Sequence, residues 1–265
     1  MKTEVNLLKM RAELSSPVNY FLSLKNEELF VNNLIDRKIL LKWSGEINCV
    51  KCGNKTNKSF AQGYCYPCFV SAPETAPCIL QPELCEAHLG IARDIEWSEK
   101  NCLTDHYVYL AVSSGVKVGV TRASQVPTRW IDQGAVKAIK FAKTPNRHLA
   151  GLIEKDLKKY MSDKTSWQKM LKNDIDFNAD LISEKGKASE LLRSDLNQYN
   201  TDDKEIYEIT YPVKSYPVKI KSINLEKTPD FSGILTGIKG QYLIFEGGFV
   251  INIRKYGGYK VILEY

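Results

Sequence analysis

Tyr107-Val-Tyr-Leu-Ala-Val-Ser-Ser-Gly-Val-Lys-Val-Gly-Val-Thr121 is the stretch on which the fold turns. β-Branched and aromatic residues fill 107–112 and 116–121, with Ser113, Ser114 and Gly115 between them. Two such runs around a small polar turn predict a β-hairpin. After the hairpin, 127–133 suits a helix with Pro127 near its first turn. Residues 135–142 suit either a third strand or a helix. Over 145–161, Leu149, Leu152, Ile153, Leu157 and Tyr160 recur at helical spacing and predict an amphipathic helix. A polar, helix-prone stretch comes next over 167–196, then a polar linker at 200–204. The segment 106–199 therefore reads as an α/β core with a helical extension.

Four cysteines upstream stand as Cys49-x2-Cys52 and Cys65-x2-Cys68 with twelve residues between the pairs. Two such knuckles can close four thiolates around one tetrahedral Zn2+. Gly53 and Gly63 flank the knuckles and suit tight turns there. A structural zinc contributes on the order of 10–16 kcal/mol of apparent binding energy, enough to order a short segment with little core. A second group, Cys78, Cys85, His88, Cys102 and His106, holds one residue more than a tetrahedral site needs. The preferred set is Cys78, Cys85, His88 and Cys102, since His106 opens the hairpin. The expected cofactor is one or two structural Zn2+ ions.

Residues 1–48 are rich in short β-type runs, and 205–265 combine β-branched and aromatic residues with Gly-Gly turns at 247–248 and 257–258. The expected class is α+β, in four parts: an N-terminal β-rich segment at 1–48, a zinc ribbon with the second cluster at 49–105, the core at 106–199, and a small all-β unit at 205–265. The chain of 265 residues is 43% hydrophobic, which suffices for a sizeable core or several small ones. No apolar run is as long as a membrane span, and Met1-Lys-Thr-Glu-Val lacks the apolar region of a signal peptide. The expectation is a cytoplasmic protein with no membrane contact, whose thiols stay reduced and free to bind metal. A net charge of +6 permits a nucleic-acid partner without requiring one.

The hairpin and the segments C-terminal to it resemble the GIY-YIG nuclease superfamily. The resemblance is carried by Val108-Tyr-Leu-Ala, Lys117-Val-Gly-Val-Thr, Thr128-Arg-Trp-Ile-Asp-Gln-Gly-Ala and Leu149-Ala-Gly-Leu-Ile-Glu-Lys-Asp-Leu, over about 106–162. It implies a strand-strand-helix-strand-helix layout and a phosphodiester hydrolase using Mg2+ or Mn2+. Tyr109 falls on the first-motif tyrosine, Gly119 on the second-motif glycine, Arg129 on the catalytic arginine and Glu154 on the metal-binding glutamate. Thr121 takes a position where a hydroxyl is frequent. Two departures stand out: Lys117 replaces the second tyrosine, and the hairpin loop is short. Either Tyr109 or Lys117 could then accept a proton from water. Asp156 lies nearer the centre of the apolar stripe than Glu154 and is a rival buried acid.

The whole chain also resembles an uncharacterised bacterial family that joins a cysteine ribbon to such a core. Gln62-Gly-Tyr-Cys-Tyr-Pro-Cys-Phe, Gly115-Val-Lys-Val-Gly-Val-Thr-Arg, Arg129-Trp-Ile-Asp-Gln-Gly-Ala, Gly237-Ile-Lys-Gly-Gln-Tyr and Asn252-Ile-Arg-Lys-Tyr carry that likeness, and no function comes with it.

Lys137, Lys140 and Arg147, with Arg254 and Lys255 among C-terminal tyrosines, suit a surface that tracks a DNA or RNA backbone. The alternative to a nuclease is a non-catalytic module, binding nucleic acid or protein through the same scaffold. Each residue also has an ordinary reading, as strand aromatic, solvated helix charge or bulge glycine.

Overall fold

The computed structural model describes residues 1–24 and 27–265 as a mixed α+β protein with three sheets. The chain divides into two compact units. One comprises Met1–Val70, Leu171–Asn173 and Ile209–Tyr265, and the other Ser71–Met170 and Asp174–Glu208. The expected 49–105 segment is shared between them, and the expected N-terminal segment and residues 209–265 of the C-terminal one belong to a single unit.

In that first unit, strand Tyr259–Glu264 lies between Lys2–Asn6 and Lys38–Asn48, antiparallel to both. Asp230–Lys239 then continues the sheet from Lys38–Asn48. Period-two patterning explains the pairing. Val261 and Leu263 of one strand, and Ile39 and Leu41 of its neighbour, turn to the buried side while alternate residues stay partly or fully exposed. Neither terminal segment can cover its own apolar face, so each completes the other's sheet.

The second unit holds a four-stranded antiparallel sheet in the order Tyr207–Glu208, Lys137–Thr144, His106–Val112, Val116–Arg122. The ambiguous stretch after 135 is a strand, and it pairs along the whole first hairpin strand. Along the chain, the short helix Thr128–Asp132, here called the arginine helix, runs between Val116–Arg122 and Lys137–Thr144. The helix Arg147–Leu157, here called the glutamate helix, follows Lys137–Thr144. It starts at Asn146, whose side-chain oxygen accepts from the Leu149 N–H at 2.9 Å. Its residues Ala150, Ile153 and Leu157 bury against Val108, Leu110, Val118 and Phe141, and Leu181 and Ala188 of helix Leu181–Leu191 join the same core. Alternation along the hairpin sends Val108, Leu110 and Val118 into that core, and turns Tyr109, Lys117 and Gly119 to the opposite face.

Candidate functional site

Register brings the hairpin residues together. Tyr109 stands opposite Gly119, and Ala111 opposite Lys117. The Tyr109 hydroxyl donates to Gln133 Oε1 at 3.0 Å, and the Lys117 ammonium donates to the same oxygen. Gln133 closes the arginine helix. Trp130 of that helix is fully buried, with its ring 5.9 Å from Tyr109 and 4.9 Å from Tyr207. This anchor fixes the helix and leaves Arg129 half-buried, in hydrogen-bond contact with the Tyr109 hydroxyl.

Glu154 comes from the helix on the other side of the sheet, yet its charge bears on both Tyr109 and Lys117. Its direct partner is Lys158 at 3.3 Å, and Lys158 also holds Asp163 at 3.1 Å. One ammonium thus balances two carboxylates. Burial pushes the Glu154 carboxyl above its usual range, with Lys158 opposing. Burial, reinforced by the Arg129 guanidinium, pulls Lys117 down to about 8. Burial also raises the Tyr109 phenol, which is wholly enclosed. Of the two candidate proton acceptors, Lys117 is therefore the one whose proton loss moves down toward neutral pH, to about 8.

Tyr109 and Lys117 thus share Gln133 and Arg129 contacts the Tyr109 hydroxyl, while Glu154 bears on them through its charge alone, and Gly119 makes room for the tyrosine ring. Thr121 is buried beside the set and donates to the Arg122 carbonyl at 3.3 Å. Asp156 has a structural duty: it accepts from Lys159 at 2.6 Å and from the Arg193 N–H at 3.0 Å, which holds it below the usual carboxylate range against its burial. Sequence reading missed Gln133 and Asp163. Gln133 lies four residues after Arg129, a spacing that puts two side chains on one side of a helix, so the signal was present.

The basic residues fare unevenly. Lys140 is engaged by Asp203 at 3.1 Å and the Tyr207 hydroxyl at 2.9 Å. Arg147 is buried, donating to the Asn101 carbonyl at 3.1 Å and to the Cys102 thiol. Both side chains are thus engaged within the protein. Lys137 donates to the Phe177 carbonyl at 3.1 Å. Lys255 is exposed over the Tyr256 ring, and Arg254 is half-buried.

The thiols of Cys49, Cys52, Cys65 and Cys68 all lie within 4.8 Å of one another. The Cys52–Cys65 sulfur separation is 3.8 Å. A regular tetrahedron with Zn–S of about 2.3 Å has edges of about 3.8 Å. The four thiols can therefore hold a zinc ion. Cys49 caps the strand Lys38–Asn48, and its thiol accepts from the Lys51 N–H at 3.4 Å. Burial opposes ionisation of Cys49, but N–H groups of Cys52, Cys65 and Lys51 outweigh it and bring the thiol down to about 6. Gly53 and Gly63 turn the chain with φ of 75° and 132°, a region that favours glycine. In the second cluster Cys78, Cys85 and Cys102 meet in mutual thiol contacts, while the chosen histidine, His88, is exposed with its ring 4.5 Å from His148. His106 is buried, its Nδ1 2.6 Å from the Thr104 carbonyl. No helix among the described residues is long and apolar enough to cross a membrane.

This α+β arrangement, with its cysteine centre and buried polar cluster, falls within one known family. The chain belongs to the family described as protein of unknown function (DUF2797), which matches residues 36–261 and so spans the ribbon, the second cysteine group and the polar cluster. No curated protein and no solved structure matches the chain.

Proposed function

We propose that this chain is a zinc-braced, nucleic-acid-binding protein whose α/β unit is a GIY-YIG-like, divalent-metal-dependent phosphodiester hydrolase. The observation that supports the reading is the grouping of Tyr109, Lys117 and Arg129 around Gln133, with the Glu154 charge bearing on Tyr109 and Lys117, in the order the resemblance requires. Arg129 binds the phosphate through its planar fork of donors. The neutral Lys117 amine takes the proton of the attacking water as the water oxygen bonds to phosphorus and the P–O bond to the leaving oxygen breaks. Gln133, which also accepts from Tyr109, positions that amine. Glu154 and Asp163, held by one cation in this structure, are the oxygen ligands suited to Mg2+ or Mn2+. The metal, when bound, supplies charge stabilisation to the phosphate and its leaving oxygen. Thiolate ligation at the ribbon suits the reducing cytoplasm.

A second reading has its own support in the near-complete burial of Tyr109 and Lys117. On that reading the unit docks phosphate through Arg129 and Gln133 without turnover. Incubation with branched, single-stranded and duplex DNA and RNA, with Mg2+ or Mn2+, separates the two. Cleavage by wild type and none by Glu154→Ala supports the hydrolase. Salt-dependent binding without cleavage supports the docking module.

A further inference from the structure

Residues 73–102 pack without strands. The segment is a series of single turns, Pro73–Thr75, Pro77–Ile79, Pro82–Leu84 and Ala87–Leu89, leading to the helix Ile95–Asn101. Its large apolar side chains do not supply a core: Leu80 is 85% exposed, Leu89 64% and Ile91 57%. What it buries instead is Cys85, Ala87 and Cys102, with Cys78 and Trp97 packed against them. A core of this size contributes little to ordering the segment, and its close packing is against the glutamate helix.

The three thiols supply the means. Cys78 touches both Cys85 and Cys102, and Cys85 touches Cys102, so they form a closed triangle. They line a cavity of about 790 Å³ together with His88 and His148. His148 comes from the first turn of the glutamate helix, and its Nδ1 is buried with no partner. Gly151 allows that helix to approach closely, since a Cβ there would stand 2.1 Å from the Glu83 nitrogen. Arg147 contacts the Cys102 thiol from the same turn. Three thiolates and an imidazole on Zn2+ carry one net negative charge, which this guanidinium balances.

We propose that Cys78, Cys85, Cys102 and His148 form a second zinc centre, which fastens 73–102 to the start of the glutamate helix. His88, exposed and stacked on His148, covers the site instead of ligating. The proposal is independent of nuclease activity, and metal content tests it directly. Native mass spectrometry of the full chain should find two zinc ions, with one remaining in Cys52→Ser and one in Cys102→Ser. A single ion in wild type, or a disulfide between any two of Cys78, Cys85 and Cys102 in peptide mapping, overturns it. Should Cys102→Ser fail to fold, zinc X-ray absorption on the wild type decides: sulfur ligands with a nitrogen component support the mixed centre, and sulfur alone contradicts it. His148→Ala should release one zinc to a chelator about tenfold faster, with His88→Ala near wild type. The reverse pattern removes His148 as the ligand.

Discussion

Gly119 lies across the hairpin from Tyr109, and a Cβ built on it would stand 2.6 Å from the tyrosine oxygen and 2.7 Å from Cζ. The glycine therefore exists for the tyrosine ring. The ring occupies the space that a side chain at this position would fill. Gly119→Ala should cost about 1–3 kcal/mol by overpacking in wild type, and close to nothing in a Tyr109→Ala background. Urea unfolding of the four proteins measures the coupling. Equal costs in both backgrounds would show that something else demands the glycine.

Lys117 makes a prediction with a sign. Its ammonium falls from 10.5 to about 8, chiefly through burial. Between those values the unfolded chain binds more protons than the folded one, so this residue's contribution to stability rises with pH across that window. At pH 7 both states are protonated, and the full penalty, about 3 kcal/mol at most, is present. Lys117→Met should therefore be more stable than wild type at pH 7 by about 1–3 kcal/mol, with the gain shrinking toward pH 10. If Lys117 is the base, wild-type kcat/KM rises as pH passes about 8, and Lys117→Met loses that rise. Unfolding at two pH values and a pH–rate profile check both halves.

Cys52 is exposed, so its replacement removes little packing. Loss of stability in Cys52→Ser therefore reports lost metal ligation. A drop in Tm of about 10 °C is expected, the size of a loss of about 3–4 kcal/mol in a chain of this length. A chelator should reproduce it in wild type and leave the variant unmoved. Equal melting of both proteins, with and without chelator, would remove the brace.

The hairpin, the arginine helix and the glutamate helix were legible because each carries local patterning: period-two runs around Ser113–Gly115, Pro127 at a helix start, and the Leu149, Ile153 and Leu157 stripe. The cysteine spacing likewise encodes its cluster directly. Long-range pairing was not legible. Nothing local says that Lys2–Asn6 pairs with Tyr259–Glu264, because either could satisfy its apolar face on many partners. Asp156 was ambiguous for the same reason: its partner, the Arg193 N–H, lies 37 residues away. Gln133 was passed over because a lone amide carries no signal until Tyr109 and Lys117 are seen to share its oxygen.

Arg129 tests the nucleic-acid binding that both readings share. As a phosphate ligand in either reading, its loss in Arg129→Ala should weaken nucleic-acid binding and reduce the salt slope by about one. Fluorescence anisotropy over a salt series measures it. Unchanged affinity and slope would move the binding surface elsewhere.

The most direct test is the Mg2+-dependent cleavage rate of wild type against Glu154→Gln on a branched DNA substrate, alongside single-stranded and duplex DNA and RNA. The carboxylate is the metal ligand in this account, so the substitution should lower the rate by about a hundredfold or more while binding in the absence of metal stays the same. Equal rates for the two proteins, or no cleavage by wild type on any substrate, would contradict it.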